Sequence, residues 1–205
     1  DARKSRGLGD VYKRQAQSIE DLAIYRTLPN VIVMHPSDIV STKLLTMQLA
    51  ESNSPSYTRT ARNKTPVLYE GREDEIKIGK GVVLKEGHDV AIVACGVMVS
   101  QSLDAAEALA AKGISVAVVD MHTLKPLDGE LIDRLVSTCG ALVTAEDHNV
   151  IGGLGGAVAE HVTANAYAPL ERVGVQDRFG ESGQADEMLD VCLLYTSPSP
   201  RDLRA

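Results

Sequence analysis

An α/β fold with a mostly parallel sheet and helices on both of its faces is what the sequence predicts, on three observations. Short, almost wholly apolar runs recur at Val31–Met34, Val90–Ala94, Val116–Val119 and Leu142–Ala145. Each is too short for a helix and has the character of a strand covered on both faces. Segments with apolar residues at helical spacing lie between them, and the alternation of strand and helix predicts βαβ units wound right-handedly.

Taken in order, Ser18-Ile19-Glu20-Asp21 reads as a capping box that opens a helix with Ile19, Leu22 and Ala23 on one face, stopped by Leu28-Pro29. The strand at Val31–Met34 turns out through His35-Pro36-Ser37-Asp38, and Val40, Leu44 and Met47 continue at helical spacing. A Ser/Asn/Pro turn at Ser52–Ser56 precedes a second strand expected over Tyr57–Ala61. Residues Asn63–Lys80 are polar and charged, with Gly71 and Gly79 and only scattered apolar positions, which places an interdomain linker there. Beyond it come a strand at Val90–Ala94, an Ala-rich helix at Ser102–Ala111 closed by Gly113, a strand at Val116–Val119, a helix at Gly129–Val136, a strand at Leu142–Ala145 and a helix at Gly155–Asn165. No internal repeat or low-complexity tract interrupts the order.

The ends are of another origin. Arg6–Gln15, RGLGDVYKRQ, is encoded by CGTGGGCTCGGAGATGTGTATAAGAGACAG, and the reverse complement of that string, read one base in, gives CLLYTSPSPR, which is Cys192–Arg201. One DNA strand and its complement at both ends mark an adapter read through, so residues 1–15 and 192–205 are expected to be artefactual tails and are excluded from fold reasoning. The tails hold 7 of the 21 basic and 3 of the 28 acidic residues, so that residues 16–191 carry a formal charge of −11. Nucleic acid and anionic membrane both require a positive footprint, and neither is expected as a partner. No apolar run is long enough to cross a bilayer, and no signal peptide is visible. Cys95 and Cys139, without CxxC or metal-like spacing, read as buried free thiols in a reducing cytoplasm.

Three groups carry chemistry. Gly152, Gly153, Gly155 and Gly156 precede a helix, where backbone amides can approach a phosphate. A dinucleotide fingerprint, however, belongs to the first strand of its domain with an acidic residue some twenty positions on. Here the glycines follow the third strand and Glu146 precedes them, so close helix packing or a subunit contact is the favoured reading. Glu146-Asp147-His148 at a strand tip is a candidate acid/base cluster, with His122 a further candidate to converge on it at the sheet rim; solvated carboxylates and packed loop histidines are the plainer and favoured account. Arg59 and Arg62 bring two guanidinium forks to a strand end, suited to a sugar phosphate, and odd spacing in a strand would send them to opposite faces.

Gln17-Ser18-Ile19-Glu20-Asp21, Asp120-Met121-His122-Thr123-Leu124-Lys125-Pro126, Glu146–Gly155 and Asp177–Gly183 together resemble the C-terminal half of the transketolase family, close to the separately encoded C-terminal subunit of two-part transketolases. The resemblance implies the end of a pyrimidine-binding α/β domain over residues 16–64, a linker at 65–75, and a three-layer α/β/α transketolase C-terminal domain over 76–191. It implies thiamine diphosphate and Mg2+ as cofactors of the complete enzyme, which moves a two-carbon ketol unit between sugar phosphates in the cytoplasm, within pentose phosphate metabolism. The cofactor performs the bond breaking; protein groups orient the substrate and clamp its phosphate. Arg62 aligns with the family's phosphate-binding arginine and is preferred to Arg59. The family's catalytic histidine before Gln17 aligns with Ala16, and the GDG metal motif and the activating glutamate do not occur. No cofactor or metal is therefore expected on this piece, which is expected to be inactive alone and to need an N-terminal half or subunit in a homodimer or heterotetramer. The same two domains occur in 2-oxo-acid dehydrogenase beta subunits and deoxyxylulose phosphate synthases. A non-catalytic assembly module, with the glycine-rich helix start at the contact, is the reading from another class.

Overall fold

The computed structural model describes residues 18–61, 64–165 and 167–177. The first helix, α1 (Asp21–Arg26), is shorter than expected, and the capping box anticipated at its start does not form. Ser18 Oγ donates to the Glu20 carboxylate at 2.8 Å, and Asp21 is engaged elsewhere, accepting the Tyr57 hydroxyl at 2.7 Å. A capping box does form one helix later. Asp38 accepts the Ser41 amide at 2.7 Å, and Ser41 Oγ in turn accepts the Asp38 amide at 3.1 Å, opening α2 (Ile39–Ala50). This helix buries Ser41 and Leu45, while Met47, expected on the covered face, is exposed. Val40 and Leu44, expected on the same face, are half-buried and pack against this core.

Strands β1 (Ile32–Met34) and β2 (Ser56–Thr58) pair in parallel. The second was expected to reach Ala61. It stops because β1 stops: the Arg59 amide donates to the Met34 carbonyl at 2.9 Å, and β1 has no rung beyond that. The opposite-face argument for Arg59 and Arg62 lapses with the strand, and Arg62 lies outside the described residues.

The polar stretch after residue 63 is not a loose tether. Tyr69 and Ile76 are buried against Met34, Leu45 and Val82, and the Leu68 and Tyr69 amides donate to Asp38. Two anchors in a charged segment suffice to pin it.

The chain then forms β3 (Val82–Lys85), β4 (Val90–Ala94), α3 (Met98–Ala110), β5 (Val116–Asp120), β6 (Thr123–Lys125), α4 (Gly129–Cys139), β7 (Leu142–Asn149), α5 (Leu154–Asn165) and β8 (Leu170–Val175). Five strands make one sheet in the order β3-β5-β4-β7-β8, parallel except for the edge strand β3. Side chains of the central strands alternate between two cores, as the apolar runs require. Val93 and Val119 pack with Leu131, Ile132 and Leu135 of α4 and Leu154 and Val158 of α5, whereas Ile92 and Val118 pack with Met98, Val99 and Ala106 of α3 on the other face. The expected three layers are present, and Cys95 and Cys139 are both free and buried.

Helix α4 shows how the sequence sets its own limits. Asp128 accepts the Leu131 amide at its start, and Gly140 at its end adopts φ 68°, the left-handed turn that glycine permits without strain.

The short strand β6 escaped the sequence pattern. It leaves the five-stranded sheet and pairs antiparallel with β1, so the small sheet β2-β1-β6 joins strands of the first sixty residues to one that follows β5. Consequently the rim of the large sheet, at the end of β7, lies against the ends of β1 and β2.

Candidate functional site

Glu146-Asp147-His148 does not sit on a loop. Strand β7 continues through Asn149, four residues beyond the expected end, and carries all three residues into the region where the two sheets meet. Glu146 and His148 are buried. Alternation along the strand sends Asp147 the other way from its neighbours, and the three side chains have three different tasks.

Glu146 serves the glycine-rich turn. Its carboxylate accepts the Leu154 amide at 2.7 Å and the Gly155 amide at 2.8 Å, capping α5 from within the chain. Burial pushes its pKa up to about 7, against those two amide bonds, which favour the charged form. The anion position at this helix start is thus filled by an internal carboxylate. A Cβ on Gly153 would overlap Glu146 Oε2 and approach His148 Nδ1 at 2.6 Å; one on Gly152 would meet Ala23 Cβ at 2.9 Å. The glycines are there for close packing, the favoured sequence reading.

His148 is a structural histidine. The Ala23 amide donates to Nε2 at 3.3 Å, so the ring proton is on Nδ1, which faces the Asn149 carbonyl at 2.7 Å. Burial lowers its pKa, in keeping with a neutral ring.

Asp147 forms the centre of an ionic group that the sequence reading missed. Its Oδ1 lies 2.9 Å from His35 Nε2, and its Oδ2 accepts Arg59 Nη2 at 3.2 Å; the same Nη2 reaches the Asp147 carbonyl at 3.0 Å. The other nitrogen of His35 faces the Arg59 carbonyl at 3.0 Å. Both ring nitrogens therefore face oxygen atoms. Arg59 Nη1 pairs with Asp21 Oδ1 at 3.5 Å, and Tyr57 bonds the other Asp21 oxygen. Arg59 thus lies between two carboxylates. Burial alone would raise the Asp147 pKa, but the charge and hydrogen bond of His35 and the charge of Arg59 outweigh it and hold the carboxyl below its usual range.

Of the residues expected to touch a sugar phosphate, Arg59 has its guanidinium turned to these internal carboxylates, with Nη2 bonded to Asp147 and Nη1, without a hydrogen bond, 3.5 Å from Asp21. His122 does not converge on the β7 cluster. It is fully buried, with Nδ1 on Thr123 Oγ1 at 3.0 Å, beside a separate group in which Ser37 and Tyr69 donate to Asp120 Oδ2 at 2.6 and 2.8 Å. Burial lowers the pKa of His122 and raises that of Asp120. His35 could have been noticed as the first polar residue after an apolar strand; Asp21 stood out only as a helix-capping residue, and nothing in the sequence marked Tyr69.

The described residues do not fit the diphosphate and metal end of a thiamine diphosphate. The one glycine-rich helix start that could take its phosphates already holds Glu146, and no group of three or more His, Cys, Asp or Glu among the described residues could hold a metal ion. What the arrangement does is join the strand ends of two sheets through charge, at the edge where parallel α/β sheets meet ligands.

Residues 79–197 match the family model of the transketolase C-terminal domain. The chain belongs to the transketolase family. The putative transketolase C-terminal section of Methanocaldococcus jannaschii is 44% identical over 175 residues, covering 84% of this chain and 54% of that protein. The 6-deoxy-6-sulfo-D-fructose transketolase subunit SqwH of a Clostridium species is 43% identical over 169 residues, covering 82% and 52%. A solved split-gene transketolase, described as an inactive beta4 tetramer, superposes with a TM-score of 0.82 at 45% identity, covering 86% of this chain and 57% of that one. The transketolase-family chain described here therefore spans about half the length of the curated relatives it matches.

Proposed function

We propose that this chain is the C-terminal portion of a thiamine-diphosphate-dependent transketolase, which transfers a two-carbon ketol unit between sugar phosphates once an N-terminal half supplies the diphosphate and Mg2+ site. One observation carries the reading: a similar chain from a split-gene transketolase is described as an inactive beta4 tetramer. A chain that needs its other half agrees with a fold whose glycine-rich helix start is closed by its own Glu146. In this reading the cofactor supplies the carbanion chemistry, while this chain contributes subunit contacts, the geometry of the β2 end and one phosphate ligand. That ligand is Arg62, because Arg59 is held by Asp147 and Asp21. The setting is cytoplasmic sugar-phosphate metabolism.

The test uses the complete enzyme with Arg62→Ala. The KM for a phosphorylated ketose donor is expected to rise about tenfold or more, with affinity for thiamine diphosphate unchanged. An unchanged KM would reject Arg62 as the phosphate ligand. Consumption of a 2-oxo acid donor in place of the ketose phosphate would move the assignment to the deoxyxylulose phosphate synthase side of the family.

A further inference from the structure

We infer that Asp147 is a positioning residue for sugar-phosphate binding: from the rim of the large sheet it fixes the end of β2, Arg59–Ala61, by holding Arg59 and His35 together. The inference rests on the reading above, in which the phosphorylated donor is bound by the arginine that follows this strand end.

Three observations carry it. A single carboxylate takes both partners, His35 Nε2 at 2.9 Å and Arg59 Nη2 at 3.2 Å, and the Asp147 carbonyl takes Arg59 Nη2 again at 3.0 Å. His35 passes this on to the main chain, because its second nitrogen faces the Arg59 carbonyl at 3.0 Å while its own amide donates to the His122 carbonyl at 2.8 Å. The backbone and the side chain of Arg59 are thereby fixed from the same point. The seat is also built for the ring. His35 is fully buried, and Gly96, at φ 57°, lies so close that a Cβ there would overlap the imidazole.

Beyond Thr58 the end of β2 has only the Arg59–Met34 rung from the sheet, so the ionic group replaces the hydrogen bonding that β1 no longer offers. Asp147 and Asp21 retain Arg59 as a strut. A carboxylate that acts through Arg59 and His35, without touching substrate, would change how well the donor is held more than how fast the bound donor reacts.

The experiment is steady-state kinetics of the complete enzyme carrying Asp147→Asn. KM for a ketose phosphate is expected to rise about three- to tenfold with kcat changed less than about twofold, while KM for an unphosphorylated ketose donor stays as it was. Circular dichroism and an imidazole N–H resonance of His35, present in the parent and lost in the variant, check that the fold survives and the contact does not. Equal increases for both donors, or no increase for the phosphorylated one, would overturn the positioning role. Should D147N fail to fold, Arg59→Lys, which keeps the charge but not the planar fork, carries the same expectation. Arg62→Ala, assayed alongside, separates the two claims. If R62A raises KM and D147N does not, only the positioning role fails; if R62A has no effect, the ligand assignment fails and the positioning role with it.

Discussion

The Glu146 carboxylate reaches the Leu154 amide at 2.7 Å, which makes the start of α5 a helix capped by a residue eight positions earlier on a neighbouring strand. A glycine-rich turn that reads in sequence as an anion site is in the fold an occupied one. The occupant titrates, and that has consequences for stability.

Because burial raises the pKa of Glu146 to about 7 from an unfolded value near 4.5, the folded state binds the extra proton in between. Its contribution to stability is complete below pH about 4.5 and is lost as pH rises through about 7. Glu146→Gln is expected to flatten this part of the stability profile, with the parent losing stability relative to the variant between pH 5 and 8. Urea titrations across that range check it, and parallel profiles would contradict it.

Asp147 has the opposite sign. Its folded pKa is depressed, so its contribution is present above the unfolded value of about 3.9 and is lost as pH falls through the lower folded value. Asp147→Asn breaks a largely buried ionic group at neutral pH and is expected to cost about 2–4 kcal/mol of unfolding free energy, a difference that narrows in strong acid. Chemical denaturation at pH 7 and pH 3 reads both.

Gly153→Ala is expected to destabilise by about 2 kcal/mol or more, because its Cβ would overlap the Glu146 carboxylate that caps α5. Gly113→Ala makes a useful contrast. No atom lies within 4 Å of a Cβ there, and only the φ of 79° opposes it. Its cost is expected near 1 kcal/mol, measured by thermal unfolding of the two variants side by side.

Much of the large sheet was legible. The bounds of β4 are those the apolar run gives, because a strand buried on both faces announces itself by composition alone. The edge strands β3 and β8 were not, since half-exposed strands admit Lys85, Glu171 and Arg172 and lose the signal. Tyr69 and Ile76 hid in a charged stretch for the same reason: two anchors do not make a period. At the candidate site, Glu146, Asp147 and His148 stood out as a group, but their roles diverge because a strand sends alternate residues to opposite faces. The contact of His35 with Asp147 joins residues 112 positions apart, a distance over which no local pattern carries information.

Asp38→Ala gathers several of these points into one variant. The carboxylate caps α2 through Ser41 and also binds the Leu68 and Tyr69 amides, so its loss leaves three donors without a partner. A cost of about 2–4 kcal/mol is expected, against less than about 0.5 kcal/mol for half-buried Ser18→Ala, whose hydroxyl meets only the neighbouring Glu20, by equilibrium unfolding.

The central claim, that this chain is one half of a ketol-transferring enzyme, is tested most directly by reconstitution. Residues 16–191 are mixed with a transketolase N-terminal half, thiamine diphosphate and Mg2+, and two-carbon transfer from a ketose phosphate to an aldose phosphate is followed. Transfer with both halves present, and none with either alone, is the predicted result. Transfer by this chain alone, or micromolar binding of thiamine diphosphate to it in calorimetry, would contradict the account.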